Sequence, residues 1–214
     1  METAGGERIS AKFYESDVAV FTILFSHGNA EDIGTIEPFI LRLNESGFSV
    51  LTFDYRGYGT SEGNPSEANS YQDIEAAYDY LVKTQKIPAN RIIVHGRSLG
   101  GGAAVDLASR REVGGMVLES TFTSAARVLT RVRILPFDQF ENIRKIKAVT
   151  CPILFIHGRE DWTIPLHHGQ ALFDAANEPK QVLWIDNAGH NNVFNRASER
   201  YLATVREFSE SLPK

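Results

Sequence analysis

Short apolar runs alternate with amphipathic stretches along most of the chain. The apolar runs are bounded by Gly, Pro, Asn or Asp, a pattern typical of strands that are buried on both faces of a sheet. Between these runs, apolar residues recur at helical spacing, most clearly over residues 71–86. This alternation predicts βαβ crossovers and a mostly parallel sheet with helices on both faces.

The predicted elements cover most of the chain. We predict seven strands, at 8–14, 18–26, 48–53, 91–95, 113–118, 152–156 and 181–185. The predicted helices are 35–45, 71–86, 99–110, 166–177 and 200–212. Residues 120–150 lack a clear period, and we expect a short cap-like insertion there. The length of 214 residues suits one α/β domain, so we expect residues 1–214 to form a single domain.

The fourth predicted strand runs directly into the sequence Gly96-Arg97-Ser98-Leu99-Gly100, and a helix of small residues follows at once. Gly-x-Ser-x-Gly between a strand and a helix predicts a tight turn that holds the serine hydroxyl out at the strand end, in a strained backbone conformation. The start of the next helix directs free N–H groups and a positive dipole end toward the same point. Ser98 is therefore a candidate nucleophile.

A serine hydroxyl needs a base to take its proton and a third group to orient that base. His190 lies in a loop after the last predicted strand and is the expected base, the alternative being a solvent-exposed loop histidine. Asp161, in the loop after the sixth strand, is the expected acid, with Glu119 and Glu160 as alternatives. These positions follow strand ends, where open α/β sheets bind ligands.

An acyl-transfer site also needs two donors aimed at the oxyanion of the tetrahedral intermediate. We expect the backbone N–H of Leu99 to be one of them, because it directly follows the serine. The loop after the second strand reads His27-Gly28-Asn29. Gly28 lets this loop approach the serine turn closely, and the N–H of Asn29 is therefore the expected second donor.

Five motifs in order along the chain resemble those of the α/β-hydrolase fold. They resemble most closely the branch that contains the Bem46-like proteins and the alpha/beta hydrolase domain-containing types 17 and 13. The matching segments are 26–32, 53–63, 96–101, 157–165 and 189–191. The order Ser98, Asp161, His190 is also the serine–acid–histidine order of this fold.

The resemblance implies a serine hydrolase that cleaves carboxylic esters or thioesters of small to medium acyl groups through an acyl-enzyme intermediate. It implies no metal and no organic cofactor. Two alternatives stay open: a peptidase of the oligopeptidase type, and a ligand-binding module in which hydrolysis is vestigial.

Composition limits the classes of partner that we expect for this protein. The formal net charge of −5 argues against a nucleic-acid partner, and a single cysteine, Cys151, allows no internal disulfide. No apolar run approaches the ~18 residues of a membrane span, so we expect a cytoplasmic protein. The resemblance implies a small-molecule ester or thioester as the substrate.

Residues 120–150 carry six basic side chains against two acidic ones. The basic residues of this segment either attract anionic substrates or lipid head groups or form a solvated face with salt partners elsewhere. Its apolar residues either line an acyl pocket or pack on the core.

Three further residues lie within these motifs. We expect Asp54 and Arg56 to tie loops together next to the site rather than to act in it. Trp162 directly follows Asp161, and we expect it to pack against the protein rather than to stack on a substrate.

Overall fold

The computed structural model describes residues 1–124 and 140–213, and strands alternate with helices along them. Seven strands form one sheet: Ala11–Tyr14 (β1), Thr22–Ser26 (β2), Ser49–Phe53 (β3), Ile92–Arg97 (β4), Gly115–Glu119 (β5), Ile153–Gly158 (β6) and Lys180–Ile185 (β7). The predicted strand near each of these positions is present.

The strand order across the sheet is β1-β3-β2-β4-β5-β6-β7. β1 is antiparallel to β3, and every other neighbouring pair is parallel. In the register of β4 with its neighbours, Gly96 lies opposite Ser26 and Arg97 opposite Glu119. The carboxyl ends of β2, β4 and β5 therefore lie side by side at the centre of the sheet, directly before His27, Ser98 and Ser120.

Helices cover both faces of the sheet. Within the described residues they are Ile33–Glu45 (α1), Glu67–Asp79 (α2), Gly100–Ala108 (α3), Asn142–Lys145 (α4), His167–Ala175 (α5), Val193–Arg196 (α6) and Ser198–Ser211 (α7). Shorter turns are the π-helical Tyr80–Thr84 and the 3₁₀ turns Ala89–Arg91 and Ile146–Ala148. α2, α3 and α5 share an apolar core with one face of the sheet, and α1 and α7 share one with the other face. Leu24 and Ile23 of β2 point into these two cores respectively, as alternation along a strand requires.

Helices α1 and α2 begin earlier than their apolar periods predict. The Asp32 carboxylate accepts a hydrogen bond from the Thr35 N–H at 2.8 Å and caps α1. The Ser66 hydroxyl likewise accepts from the Asn69 N–H at 3.1 Å and caps α2. Polar capping residues and first turns carry no apolar period, so an analysis of periodicity places the start of a helix too late.

The second strand is shorter than predicted. Its apolar run begins at Val18, but the strand begins at Thr22, and Val18 and Val20 are 77% and 56% exposed. A turn precedes the strand, in which the Ala19 N–H donates to the Ser16 carbonyl at 3.1 Å. The two valines belong to this surface turn, so the prediction of a strand from residue 18 was wrong.

Most of the expected cap falls outside the described residues, including Arg127, Arg131, Arg133, Leu129, Ile134, Leu135 and Phe137. Two of its remaining cations form ion pairs: Arg144 with Glu141 at 2.8 Å on the surface, and Lys145 with the buried Asp106 at 2.6 Å. Within residues 1–124 and 140–213, no helix is long and apolar enough to cross a membrane.

We expect Gly100→Ala to destabilise the fold, because a Cβ there would overlap the carbonyl of Ser26 and lie 2.7 Å from the carbonyl oxygen of His27. Backbone atoms cannot move aside as a flexible side chain can. The free energy of unfolding should fall by about 2–3 kcal/mol, which lowers the Tm by roughly 5–10 °C. Thermal unfolding followed by circular dichroism measures this change. Gly34→Ala is the matched control, since the nearest atom to its Cβ would lie 3.4 Å away; equal Tm values for the two variants would contradict the packing argument.

Candidate active site

Ser98 lies between β4 and α3 with a φ of 52°, the left-handed backbone that non-glycine residues rarely adopt. Its N–H donates to the Glu119 carbonyl at 2.8 Å, and its own carbonyl accepts from the Thr121 hydroxyl at 2.6 Å. The turn is compact, because a Cβ on Gly96 would lie 2.6 Å from the Cα of Gly101. This packing confirms the strained turn expected from the motif and directs the Ser98 side chain into a cleft.

His190 and Asp161 lie in hydrogen-bond reach of one another and of Ser98. His190 Nε2 is 3.0 Å from Ser98 Oγ, and His190 Nδ1 is 2.8 Å from Asp161 Oδ2. The His190 side chain is 13% exposed and that of Asp161 is fully buried. The histidine loop is held from within, since the Gly189 N–H donates to the Asn192 side chain at 2.8 Å. The structure thus brings the three predicted residues together in the expected sequence.

Asp161 is surrounded by donors. Its Oδ1 accepts from the N–H groups of Thr163 and Ile164 at 2.9 and 2.7 Å, and its Oδ2 lies 3.3 Å from His157 Nε2. Burial on its own would raise the pKa of Asp161, but the hydrogen bonds from His157, His190 and Ile164 outweigh burial and hold this pKa well below its usual range. The carboxylate is therefore ionised at neutral pH and can hold the Nδ1 proton of His190.

The two alternative acids do not occupy this position. Glu160 is exposed. Glu119 is buried beneath the serine turn, where Tyr201 donates to it at 2.6 Å and Arg97 at 3.1 Å. Its nearest imidazole is His95, at 3.2 Å. Burial would raise the pKa of Glu119, but the charge of Arg97 and the hydrogen bond from His95 lower it to about 2.

The loop after β2 reaches Ser98 as predicted. A Cβ on Gly28 would lie 3.5 Å from the Cβ of Ser98. His27 Nδ1 donates to the Gly28 carbonyl at 2.8 Å, and the Tyr58 hydroxyl donates to the Asn29 side chain at 2.6 Å. Among the described residues, no hydrogen bond uses the backbone N–H of Asn29 or of Leu99. Two unpaired donors therefore lie beside the serine.

Two clefts meet at Ser98. The first has a volume of about 500 Å³, and its apolar and aromatic lining includes Tyr58, Leu99, Phe122, Phe140 and Ile164. The second has a volume of about 860 Å³, and its lining carries the polar side chains of Glu31, Arg42, Arg97, Asn191 and Asn195. Asn29, Ser98 and Thr163 line both clefts. A molecule with an apolar half and a polar half would therefore have its junction at the serine hydroxyl.

The remaining candidates have other roles. Arg56 is buried and bonded to Asp73 at 2.7 Å, and Asp54 accepts from the Ile33 N–H at 2.8 Å, so both tie loops together. Trp162 is 91% exposed, and the expectation that it packs on the protein was wrong, because the turn after Asp161 projects it into solvent. Burial raises the pKa of Cys151 to about 12, which disfavours its thiolate. Residues 1–124 and 140–213 hold no cluster of three or more His, Cys, Asp or Glu placed to bind a metal.

Four residues that support the site have no role predicted from the sequence: Glu31, Arg97, His157 and Tyr201. Tyr201 lies in the apolar period of α7, which predicts a core residue. His157 directly precedes a glycine at the end of a strand, as His27 does, and this shared dipeptide was the available signal. Glu31 and Arg97 meet across 66 residues of sequence, and no local pattern predicts such a pair.

Comparison with known proteins identifies the family. The Hydrolase_4 family model, described as serine aminopeptidase, S33, matches residues 19–142. This chain belongs to that family of hydrolases. Alpha/beta hydrolase domain-containing protein 17B of Homo sapiens is 40% identical to this hydrolase over an alignment of 210 positions, which covers 96% of this chain and 72% of the human protein. Protein 17C of Mus musculus is 39% identical over an alignment of 217 positions, which covers 99% of this chain and 67% of the mouse protein.

Solved structures confirm the fold of this hydrolase. An esterase from Pyrococcus furiosus superposes with a TM-score of 0.85 at 20% identity, over 99% of this chain and 90% of that one. A monoacylglycerol lipase from Paleococcus ferrophilus superposes with a TM-score of 0.75 at 18% identity, over 94% of this chain and 98% of that one. At these identities the similarity establishes the α/β-hydrolase fold alone.

Replacing Glu119 by Gln should make the free energy of unfolding of this hydrolase less dependent on pH below pH 4.5. The folded-state pKa of Glu119, about 2, lies below its ordinary value of 4.5. Its ionised form therefore stabilises the protein fully above pH 4.5, and that contribution is lost as the pH falls toward 2. Glu119→Gln should lower the free energy of unfolding by about 3–5 kcal/mol at pH 7, because it leaves Arg97 without its buried partner.

Urea unfolding of both proteins at pH 7, 4 and 3 measures the difference, which should shrink as the pH falls. Glu45→Gln is the control, because the Glu45 side chain is 66% exposed. A difference that stays constant from pH 7 to pH 3 would show that the ionised Glu119 contributes no such stability.

Proposed function

We propose that this protein is a serine hydrolase that cleaves carboxylic esters or thioesters of small to medium acyl groups. The observation that carries the proposal is the hydrogen-bonded series from Ser98 Oγ to His190 Nε2 at 3.0 Å and from His190 Nδ1 to Asp161 at 2.8 Å. This arrangement activates a serine hydroxyl at neutral pH and is recognised by its geometry. Membership of a hydrolase family supports it further.

In the proposed reaction, His190 Nε2 takes the Ser98 proton as Oγ attacks the carbonyl carbon of the substrate. The carbonyl oxygen becomes an oxyanion, which the N–H groups of Asn29 and Leu99 stabilise. His190 then gives its proton to the leaving alkoxide or thiolate, and the acyl group remains on Ser98. A water molecule, deprotonated by His190, attacks this acyl-enzyme, and the acid leaves as Ser98 regains its proton. Asp161 stays ionised throughout and stabilises the imidazolium.

The two clefts suggest how the substrate lies. The apolar cleft, with Leu99, Phe122 and Phe140 in its wall, suits the acyl group because burial of methylene groups there is favourable. The polar cleft, which contains Arg97 and Asn191, suits the alcohol or thiol that leaves. The junction at Ser98 would then coincide with the scissile bond.

Hydrolysis of p-nitrophenyl butyrate should depend on all three residues. Ser98→Ala and His190→Ala should lower kcat/KM by about 10³-fold or more, and Asp161→Asn by less, because the last variant keeps both the nucleophile and the base. Some activity should remain in every variant, because the oxyanion donors are unchanged. Cys151→Ala removes the only thiol of the chain and is the control, with unchanged kcat/KM expected. An undiminished kcat/KM in Ser98→Ala would refute the proposed function.

The acyl cleft can be tested separately by replacing Phe122. Phe122→Ala should raise the ratio of kcat/KM for the octanoate ester to that for the acetate ester by about tenfold, because the shortened side chain leaves space for further methylene groups. Steady-state rates on p-nitrophenyl esters from C2 to C12 give this ratio. A ratio that does not change, in a variant with an unchanged Tm, would place the acyl group elsewhere.

A second function is favoured by the description of the matched family, which names a serine aminopeptidase. The same serine, histidine and aspartate would then cleave an amide. Ester hydrolysis is the better-supported function, because the apolar wall of one cleft suits an acyl chain. Faster cleavage of aminoacyl p-nitroanilides than of p-nitrophenyl esters would replace the esterase assignment with the peptidase one.

A further inference from the structure

Glu31 is placed to control the oxyanion donor of Asn29. Its Oε2 accepts a hydrogen bond from the Gly28 N–H at 2.6 Å. On the other side of the same residue, the Gly28 carbonyl accepts from His27 Nδ1 at 2.8 Å. Gly28 is therefore held at both of its backbone polar groups.

These two contacts together determine where the next N–H points. His27 holds the carbonyl of Gly28, and Glu31 holds the N–H of Gly28 and so limits its rotation relative to the preceding peptide. The carbonyl of Gly28 and the N–H of Asn29 belong to one planar peptide unit, so a fixed carbonyl fixes the N–H on the opposite side. Glycine on its own has more backbone freedom than any other residue and would let this peptide rotate. A Cβ on Gly28 would lie 2.9 Å from Glu31 Oε2 and would push this carboxylate away from the Gly28 N–H. Glycine at this position therefore allows the contact with Glu31, and that contact limits the rotation of the glycine.

Glu31 is itself held from beneath the serine turn. Its Oε1 accepts from Arg97 Nη1 at 3.4 Å, and Arg97 Nε donates to the buried Glu119 at 3.1 Å. The Arg97 guanidinium also lies 4.4 Å from the ring centroid of Phe39, a stacking contact that limits its movement. Since Ser98 N–H donates to the Glu119 carbonyl, the chain of contacts connects the serine turn to the oxyanion loop.

We propose that Glu31, oriented by Arg97, is a positioning residue that aligns the Asn29 N–H with the oxyanion of the reaction. The inference rests on the proposed serine-hydrolase function and deepens it. Glu31 acts through Gly28 and the peptide that follows, so this positioning effect belongs to the transition state, where the oxyanion exists, and its loss lowers kcat. Glu31 also lines the polar cleft, and a direct contact with the leaving group would instead change KM.

The test compares Glu31→Ala and Glu31→Gln with the unaltered enzyme. For Glu31→Ala, kcat on p-nitrophenyl butyrate should fall by about 10- to 100-fold, the range expected when a donor is misplaced rather than removed, while KM changes by less than about twofold. The Ki of an alkyl trifluoromethyl ketone, which forms an oxyanion on Ser98, should rise by the same factor as kcat falls. Glu31→Gln keeps an oxygen that can accept from Gly28 and should recover part of both losses.

Glu15→Ala is the control, because it removes an exposed carboxylate between β1 and β2, and it should leave kcat, KM and Ki unchanged. Unchanged kcat and Ki in Glu31→Ala would overturn the inference, as would a change confined to KM or a fall in kcat without a matching rise in Ki. If Glu31→Ala does not fold, Glu31→Gln decides, with kcat and Ki expected to shift together by about threefold or more. An undiminished kcat/KM in Ser98→Ala would refute the proposed function itself, so the two failures can be told apart.

Discussion

The left-handed backbone at Ser98 is the constraint on which the rest of the site depends. A φ of 52° is unfavourable for serine and persists only where the surroundings impose it. Here they do so through contacts that leave no room for a Cβ on Gly96 or Gly100, and through the hydrogen bond from the Ser98 N–H to Glu119. The turn therefore holds the serine hydroxyl at the carboxyl edge of the sheet instead of letting it fold back against β4.

Once the serine is held there, the parallel sheet supplies its neighbours. The ends of β2, β4 and β5 lie side by side, and the loops after β6 and β7 add the aspartate and the histidine from the same edge. Two buried carboxylates at this edge, Asp161 and Glu119, have different hydrogen-bond partners. Asp161 is bonded to His157 and His190, whereas Glu119 is bonded to Arg97, His95 and Tyr201. Each pKa is lowered by a different set of donors, so one carboxylate faces the proposed reaction and the other supports the turn from below.

The features that could be predicted from the sequence are those that depend on residues close together in the chain. Alternating apolar runs predict the sheet and its helices, and glycine-flanked motifs at strand ends predict Ser98, Asp161 and His190. The buried polar contacts were not predictable, because they join residues far apart in the chain. Tyr201 and Glu119 are separated by 82 residues, and only the folded packing brings them together. The prediction for Trp162 was wrong for a local reason. Its hydrophobicity predicted burial, but its position in a turn exposes it.

The central claim is that Ser98 carries the acyl group during the reaction. Intact-protein mass spectrometry on samples quenched within the first turnover of p-nitrophenyl butyrate tests it most directly, with peptide mapping to locate the adduct and Ser98→Ala as the control. We predict a butyryl mass increase that maps to Ser98 and is absent from the control. An adduct on another residue, such as Cys151, or turnover without any adduct under conditions that trap acyl-enzymes, would contradict the claim.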